Sequence, residues 1–535
     1  MRKIYAIAAL VTLSLGAAAQ NGNHTVEVTN DYISQMSAFQ KTGLDMAVPD
    51  SLLHFDYKFD YSVFETPYKG AYEFSPYHIH VQPQASKYDA GKFYLRAGAG
   101  YSIHPVLEFV AAAVTKSDFA LDIYNEGYGF YGRNAGHGLS VFGDADPFTG
   151  YDASDRLGLD ARWIKPKVET RLGIAYDLIA AGDAAKELNS MTHSGSAYIF
   201  VTPLGSSGFD YNFDASGRFT VGNEYGGPKT SEILASLGGA LGFGIGGSSK
   251  LMIDFSLDTD IYSCNDASLD QKSNLALFKA VPSYNFNKGP FAIKLGASVA
   301  YSTAGVFSLA PDVYLSASML SDHLEFFAGA DGGQSIVDHF SMKSAFHRAT
   351  AAYSAPGLNK ELVHGYAGFK GHAGHVFEWG LKAGYHNWKS KSCEALYGFN
   401  FAHVTLLYAD ASFALKTERV DFDGDFRIAK SSMIETADIF STPRVSGDVR
   451  LMYNRNKRLY AGVWAQGQTS RNGIWLEQET SLPGWVNLGV CAEYKVGTKW
   501  GIWLEAGNLL CQKIWRNPVC AEKDPYATLG ICLKF

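Results

Sequence analysis

The last nine residues, Ala527-Thr-Leu-Gly-Ile-Cys-Leu-Lys-Phe535, alternate without a break. Leu529, Ile531, Leu533 and Phe535 fall on one face; Thr528, Gly530, Cys532 and Lys534 fall on the other. Period-2 alternation is the mark of a strand with one apolar and one polar side. A strand that ends a chain leaves an open edge of unpaired N–H and C=O groups. That edge disappears if the strand closes a barrel onto the first strand. Phe535 is therefore expected to be the barrel-closing terminal residue. Its strand should pair with the stretch Phe93–Ser102, with Thr528 and Lys534 facing the lumen.

The other end of the chain fits this reading. Met1-Arg2-Lys3 is a short basic start, Ile4 to Leu15 is mostly apolar, and Ala17-Ala18-Ala19 gives a small-residue cleavage site before Gln20. This is the pattern of a secretory signal peptide over 1–19, too short for a spanning helix. Beyond residue 20 there is no run of about 18 apolar residues free of charge. A mature chain in a membrane must then cross it as strands.

Composition agrees with alternating lipid-facing and lumen-facing positions. The chain is 14% aromatic, holds 55 Gly and is only 19% charged. A net charge of −7 argues against nucleic acid as a partner. Six Cys in 535 residues make no disulfide framework. Cys511 and Cys520 bracket one expected loop and would be able to pair in an oxidising envelope; two separate thiols fit the spacing equally well.

From Lys92 onward, alternating segments recur with nothing helical between them. They run from 92–102, 105–115 and 119–130, through 157–166, 362–373, 377–390 and 401–417, to 527–535. Twenty-two strands are expected in all. Tight turns at Thr115–Asp118, Lys165–Lys167, Asn287–Gly289, Thr417–Arg419 and Asn454–Lys457 alternate with long connections near 131–156, 180–192, 334–361, 388–400, 431–443, 471–484 and 511–526. Short periplasmic turns and longer outer loops are the habit of membrane barrels, and termini on one side demand an even strand number. The fold class is therefore an all-β, transmembrane antiparallel β-barrel over 92–535.

The two faces of each strand assign lumen and lipid. Phe422, Phe426 and Ile428 oppose Asp421, Asp423, Asp425 and Arg427; Val445, Val449, Leu451 and Tyr453 oppose Arg444, Asp448 and Arg450. Ile253, Phe255 and Leu257 oppose Asp254 and Asp258, and Leu95 and Ala97 oppose Arg96. An Arg or Lys at the lipid-facing midplane costs roughly 2–4 kcal/mol, so the charged face is the lumen. These ten charged residues are the candidate lumen site, with Arg427, Arg444 and Arg450 expected to pair with carboxylates across neighbouring strands.

Catalytic and metal motifs are missing from the sequence. Asp421-Phe-Asp423-Gly-Asp425 has its Gly two positions too early for an EF-type calcium loop, and its flanks are strand. Asp144, Asp146, Tyr151 and Asp152 form an acidic group in one long loop, read as solvated surface. There is no Gly-x-Ser-x-Gly elbow, His-Glu-x-x-His or P-loop. His104, His137, His323, His339, His347, His364, His372 and His375 show no ligand spacing. No enzyme activity, cofactor or metal is expected.

Glu505-Ala-Gly-Asn508-Leu509-Leu510, then a loop with Tyr526, then Leu529 to Phe535, resembles the end of a TonB-dependent receptor barrel. The strand count is similar to that family's as well, and the many Tyr and Asn with Gly-rich strands resemble a Bacteroidota envelope protein. The resemblance implies outer-membrane localisation, assembly by the barrel-assembly machinery into outer-membrane lipid, and TonB or another envelope protein as partner. It also implies a globular plug ahead of the barrel. Only 72 residues, 20–91, are available for one. Within them His24-Thr-Val-Glu-Val-Thr-Asn-Asp31 resembles a TonB box faintly and reads more simply as a short strand or extended tail. His54-Phe-Asp-Tyr-Lys-Phe-Asp-Tyr61 is too aromatic for plain disorder. This segment is a mini-plug or a periplasmic extension. A wide barrel without a full plug would leak, so 20–91, the loops near 131–156 and 334–361, or a partner must obstruct it. Two functions follow: solute transport or a gated channel of the receptor type, and a non-transporting structural or assembly subunit.

Overall fold

The computed structural model describes residues 92–535 apart from 102, 135–147, 184–188, 205–208, 225–226, 266–270, 321–322, 396, 434–438, 476–477 and 517–524. The expected signal peptide over 1–19, segment 20–91, Asp144, Asp146 and Cys520 lie outside the described residues.

The first strands in chain order are β1 (Phe93–Tyr101), β2 (Val106–Thr115), β3 (Phe119–Asn134), β4 (Phe148–Ile164), β5 (Val168–Asp183), β6 (Ser190–Pro203), β7 (Phe209–Glu224) and β8 (Lys229–Gly244). Next come β9 (Ser249–Asn265), β10 (Gln271–Lys288), β11 (Phe291–Ser302), β12 (Phe307–Met319) and β13 (Leu324–Val337). A helix α1 (His339–Ala345) and a 3-10 turn (Ala351–Tyr353) precede β14 (Gly357–Ala373), β15 (Phe377–Ala395), β16 (Gly398–Lys416) and β17 (Val420–Met433). The last elements are β18 (Val445–Arg455), β19 (Leu459–Gln468), β20 (Arg471–Trp475), β21 (Gln478–Leu482), β22 (Trp485–Lys495), β23 (Trp500–Gly507) and β24 (Tyr526–Lys534).

Twenty-two of these form one closed antiparallel sheet; β20 and β21 make a separate hairpin. Each strand pairs with the next, and β24 pairs with β1 in the register Tyr94↔Lys534 through Tyr101↔Ala527. Beyond the ladder, Phe93 and Phe535 exchange backbone hydrogen bonds of 3.1 and 2.9 Å. The short connections gather at the end where both barrel termini lie, here the turn end. At one of them Asn456 and Lys457 both have positive φ, near +55°, which is the backbone of a two-residue hairpin turn matched to strand twist. The long connections gather at the opposite, loop end.

The outward face is apolar along the strands: Ile261, Leu309, Ile428 and Leu529 are all more than half exposed. Their neighbours Asp260, Ser308, Ala429 and Thr528 are buried on the inside. No helix among the described residues is long and apolar enough to cross a membrane; the barrel crosses with strands. A crossing needs about 9–11 residues. Strands β15 and β16 have 19 each, so they stand well beyond the apolar band at the loop end.

Three expectations are corrected here. The loop near 388–400 is not a loop, because β15 and β16 run almost to a tight turn. The connection near 131–156 is shorter than expected, since β3 and β4 extend into it. Stretch 471–484 folds as a hairpin rather than an irregular loop. In each case pairing with a neighbour extends the strand past the residues where alternation alone fades.

The closing seam is built around one tryptophan. Gly98 and Gly530 face each other across β1 and β24. A Cβ on either would lie 2.5 Å from the Trp503 ring, so two missing side chains open the slot that the indole fills. Trp503 is 3% exposed and donates its Nε1–H to the Ile531 carbonyl at 3.3 Å. The Arg96 guanidinium lies 3.9 Å above the ring and forms ion pairs with Glu108 on β2 (3.2 Å) and Glu505 on β23 (3.3 Å). One cation thus ties the strands on both sides of the seam.

Candidate functional site at the loop end

Residues 338–356 connect β13 to β14 and fold inward across the loop end. Asp338 caps α1: its carboxylate accepts from the Ser341 backbone N–H at 3.0 Å and from the Ser341 hydroxyl at 2.5 Å. The same carboxylate pairs with Arg218 on β7. Glu232 on β8 takes the backbone N–H groups of His339 (2.5 Å) and Phe340 (3.2 Å). First-turn N–H groups have no partner within a helix, so a wall carboxylate satisfies them and fixes where α1 docks. Arg218 also lies 4.6 Å over the Phe340 ring.

The rest of the segment is held as firmly. His339 lies between the Thr230 hydroxyl (3.1 Å, Nε2) and the Ser354 carbonyl (2.9 Å, Nδ1), so Nδ1 carries the proton. Lys343 is buried; it donates to Ser190 (3.0 Å), Glu224 (3.3 Å) and the Ala349 carbonyl. Glu224 also accepts the Ala351 N–H at 2.7 Å. His347 meets Asp152 at 2.5 Å, Arg348 donates to the Tyr151 carbonyl at 3.2 Å, and the Thr350 N–H reaches the Tyr397 carbonyl at 2.8 Å. The segment thereby touches β4, β6 to β9 and the β15–β16 turn. Asp152, expected to be solvated, is engaged here.

Burial pushes the His339 imidazole down to about 4, with the nearby Lys343 ammonium adding to the effect. A released segment would titrate near 6.5. Packing is therefore fully supported above pH 6.5 and loses up to about 3 kcal/mol as pH falls from 6.5 to 4. Between pH 7.5 and pH 4.5, His339→Gln barrels in planar bilayers should gain less opening than the parent does. Equal pH dependence in the parent and His339→Gln would remove His339 from the account.

A second cap covers the β15–β23 side. Phe440, Leu482, Trp485, Ile514 and Trp515 form a buried cluster, with Tyr353 and Tyr397 packed against it. Arg471, 2% exposed, pairs with Glu394 and donates to the Arg516 carbonyl at 3.0 Å. Arg516 lies 4.8 Å over the Trp485 ring and donates to Gln466 at 2.7 Å. Tyr353 belongs to the inward segment, so the two caps meet at its ring.

The lumen wall places the charges expected from sequence as follows. Arg427 makes a two-pronged pair with Asp410 on β16 at 2.6 and 2.8 Å, and lies 5.0 Å from the Tyr408 ring. Arg450 is 3.9 Å from Asp423. Asp425 stands opposite Asp448, and Asp421 opposite Met452. Asp258 accepts from Ser256 at 3.3 Å; Asp254 lies on the same inward face of β9. Arg444 directly precedes β18, is exposed, and accepts the Ala429 N–H at 2.7 Å through its backbone carbonyl. Of the suggested Cys511–Cys520 pair, Cys511 is exposed, and Cys520 lies outside the described residues.

Several residues of this wall were not singled out from sequence. Asp331, His364 and His386 line up across β13, β14 and β15 as directly opposed partners. The two imidazoles stack at 3.9 Å, and Trp388 continues the stack at 4.2 Å. Asp331 lies 3.1 Å from His364, Glu361 lies 2.6 Å from His386, and Tyr408 lies 2.8 Å from His364. Spacing along the chain hides this row because its members sit on three strands. The helix did have a local signal: Asp338 followed by Phe340, Met342 and Phe346 is a capped apolar stretch.

No family model matches the sequence, and no curated protein is similar to it in sequence. Solved structures are similar to it in fold. A point mutant of the ferric enterobactin receptor PfeA from Pseudomonas aeruginosa shares 9% identity at a TM-score of 0.62, over 83% of this chain and 80% of that one. The siderophore receptor PirA from Acinetobacter baumannii shares 10% at 0.61, over the same proportions. The FrpB iron transporter from Neisseria meningitidis, F5-1 variant, shares 10% at 0.64, over 84% and 82%. At such identities the likeness is one of fold. The chain has the closed 22-stranded barrel that these siderophore and iron receptors have, as the C-terminal resemblance implied.

Proposed function

We propose that this chain is an outer-membrane receptor-type barrel that moves a solute, working with TonB or a similar energised partner, and that its resting state is closed at the loop end. The carrying observation is the inward segment 338–356, clamped by Asp338–Arg218, Glu232 and Lys343 to the inner wall. A wall built only to hold neighbours has no need of a buried, charge-lined segment across its mouth. Fold likeness to siderophore and iron receptors supports the same reading. The loop end then faces outward and the turn end faces the periplasm, with 1–19 removed on export and 20–91 serving as a mini-plug or a periplasmic extension. The lumen residues Asp421, Asp423, Asp425, Asp448, Arg450, Asp254 and Asp258 would line the path of the solute. Transport needs no catalytic group, so no enzyme activity is assigned.

Affinity purification of the chain from its native outer membrane tests the partner. Recovery with an energy-transducing protein that depends on residues 20–91 is the expected result. Recovery only with other outer-membrane proteins, from a barrel that never conducts, would overturn transport in favour of a structural subunit.

A further inference from the structure

A cavity of about 510 Å³ opens at the loop end between the ends of β14, β15 and β16. That volume lies within the range of small-molecule sites, about 300–1,000 Å³. Tyr353, Phe399 and Phe401 supply rings; Lys360, Lys389 and Asn400 supply polar groups; no carboxylate among the described residues lines it. Its walls are fixed by close backbone approach. A Cβ at Gly357 would lie 2.3 Å from the Phe401 ring, and one at Gly398 would lie 2.4 Å from the Tyr353 carbonyl.

The cations of this cavity, of which Lys389 is exposed, differ from the ion-paired cations of the inner wall. Arg96, Arg218, Lys294, Lys370 and Arg427 each face a carboxylate within the wall. Lys360 and Lys389 meet none among the described residues. Lys360 donates one of its three ammonium protons to the Phe307 carbonyl at 2.7 Å, which holds it in place and leaves two. Two ammonium groups beside one cavity repel each other unless an anion lies with them. The aromatic walls add a flat apolar surface for the rest of such a molecule.

We propose that the cavity binds an organic anion: a carboxylate or phosphate on a ring-bearing body, with the charge at Lys360 and Lys389 and the body against Tyr353, Phe399 and Phe401. This deepens the transport reading, because Ala352, Tyr353, Ala355 and Pro356 of the cavity belong to the segment that closes the mouth. A bound anion would therefore contact the closing element directly.

The test is calorimetric titration of the purified full chain in zwitterionic detergent with phenyl phosphate, using uncharged benzyl alcohol as comparison. Saturable binding is expected for phenyl phosphate, with benzyl alcohol about tenfold weaker or undetectable. The double variant Lys360→Gln/Lys389→Gln should bind phenyl phosphate about tenfold more weakly, and Lys165→Gln at the turn end should bind as the parent does. Heat-modifiable gel mobility identifies folded variants. No binding by the parent, or equal binding by the double variant, overturns the proposal. Nanodiscs with and without lipopolysaccharide separate the sources of the anion. Phenyl phosphate excluded by lipopolysaccharide assigns the cavity to lipid phosphate; binding in both assigns it to a soluble molecule. Binding without any transport would keep the cavity and remove the transport reading. Transport without binding would remove the cavity alone.

Discussion

Excising residues 339–353, with a short glycine–serine link from Asp338 to Ser354, is expected to turn a mostly closed barrel into a conducting pore. A 22-stranded barrel encloses a lumen wide enough to need plugging. In this chain α1 and the 3-10 turn lie across its loop end. The excision removes the Lys343 contacts to Ser190 and Glu224 and the docking of His339 and Phe340 on Glu232. Openings in planar bilayers should rise at least about tenfold, the change that roughly 1.4 kcal/mol of lost closure produces. Lys343→Met should give an intermediate rise, since it keeps bulk but strands Glu224. Segment 20–91 is the competing obstruction, so the comparison is repeated in a chain without it. If excision leaves that shortened chain silent, 338–356 is not the closing element.

Trp503→Ala should be the most damaging single change in the barrel wall. The indole fills the slot between Gly98 and Gly530 and carries the Arg96 guanidinium that joins Glu108 to Glu505. Losing a buried Trp costs about 3–5 kcal/mol. Here the cavity would open at the one seam where the first and last strands meet. The temperature at which the folded band disappears in heat-modifiable electrophoresis should drop markedly. Trp500→Ala, on the lipid side of the same strand and 52% exposed, should change it little in detergent. Equal shifts for the two variants would mean that the seam is not specially stabilised by its inner side.

Much of this architecture could be read along the chain, for a local reason. Alternation such as Phe422-Asp-Gly-Asp-Phe426-Arg-Ile428 reports which side chain faces lipid, and it needs no knowledge of neighbours. Turn chemistry at Asn454–Lys457 separates one strand from the next in the same way. Twenty-two strands, a closing C-terminal strand and a polar lumen follow from those two signals, and β24 pairs with β1 over the expected stretch.

Pairing between strands was less legible. Arg427 could be placed in the lumen from its alternation, yet its partner is Asp410 on the preceding strand rather than Asp425, which faces Asp448. The stagger of adjacent strands decides such matches, and stagger is a property of the closed sheet. The same holds for the Asp331–His364–His386 row, which exists only where β13, β14 and β15 align.

The inward segment marks the boundary most clearly. The amino-acid sequence alone determined that a polar-lined barrel would need an obstruction and that 334–361 was among the candidates for it. It held the capping signal of α1 in Asp338 and the residues after it. Where α1 would lie was decided by Arg218 and Glu232, 120 and 107 residues away from the groups they hold. No local pattern carries that information, because the free energy of docking comes from charges that meet only after the ring has closed.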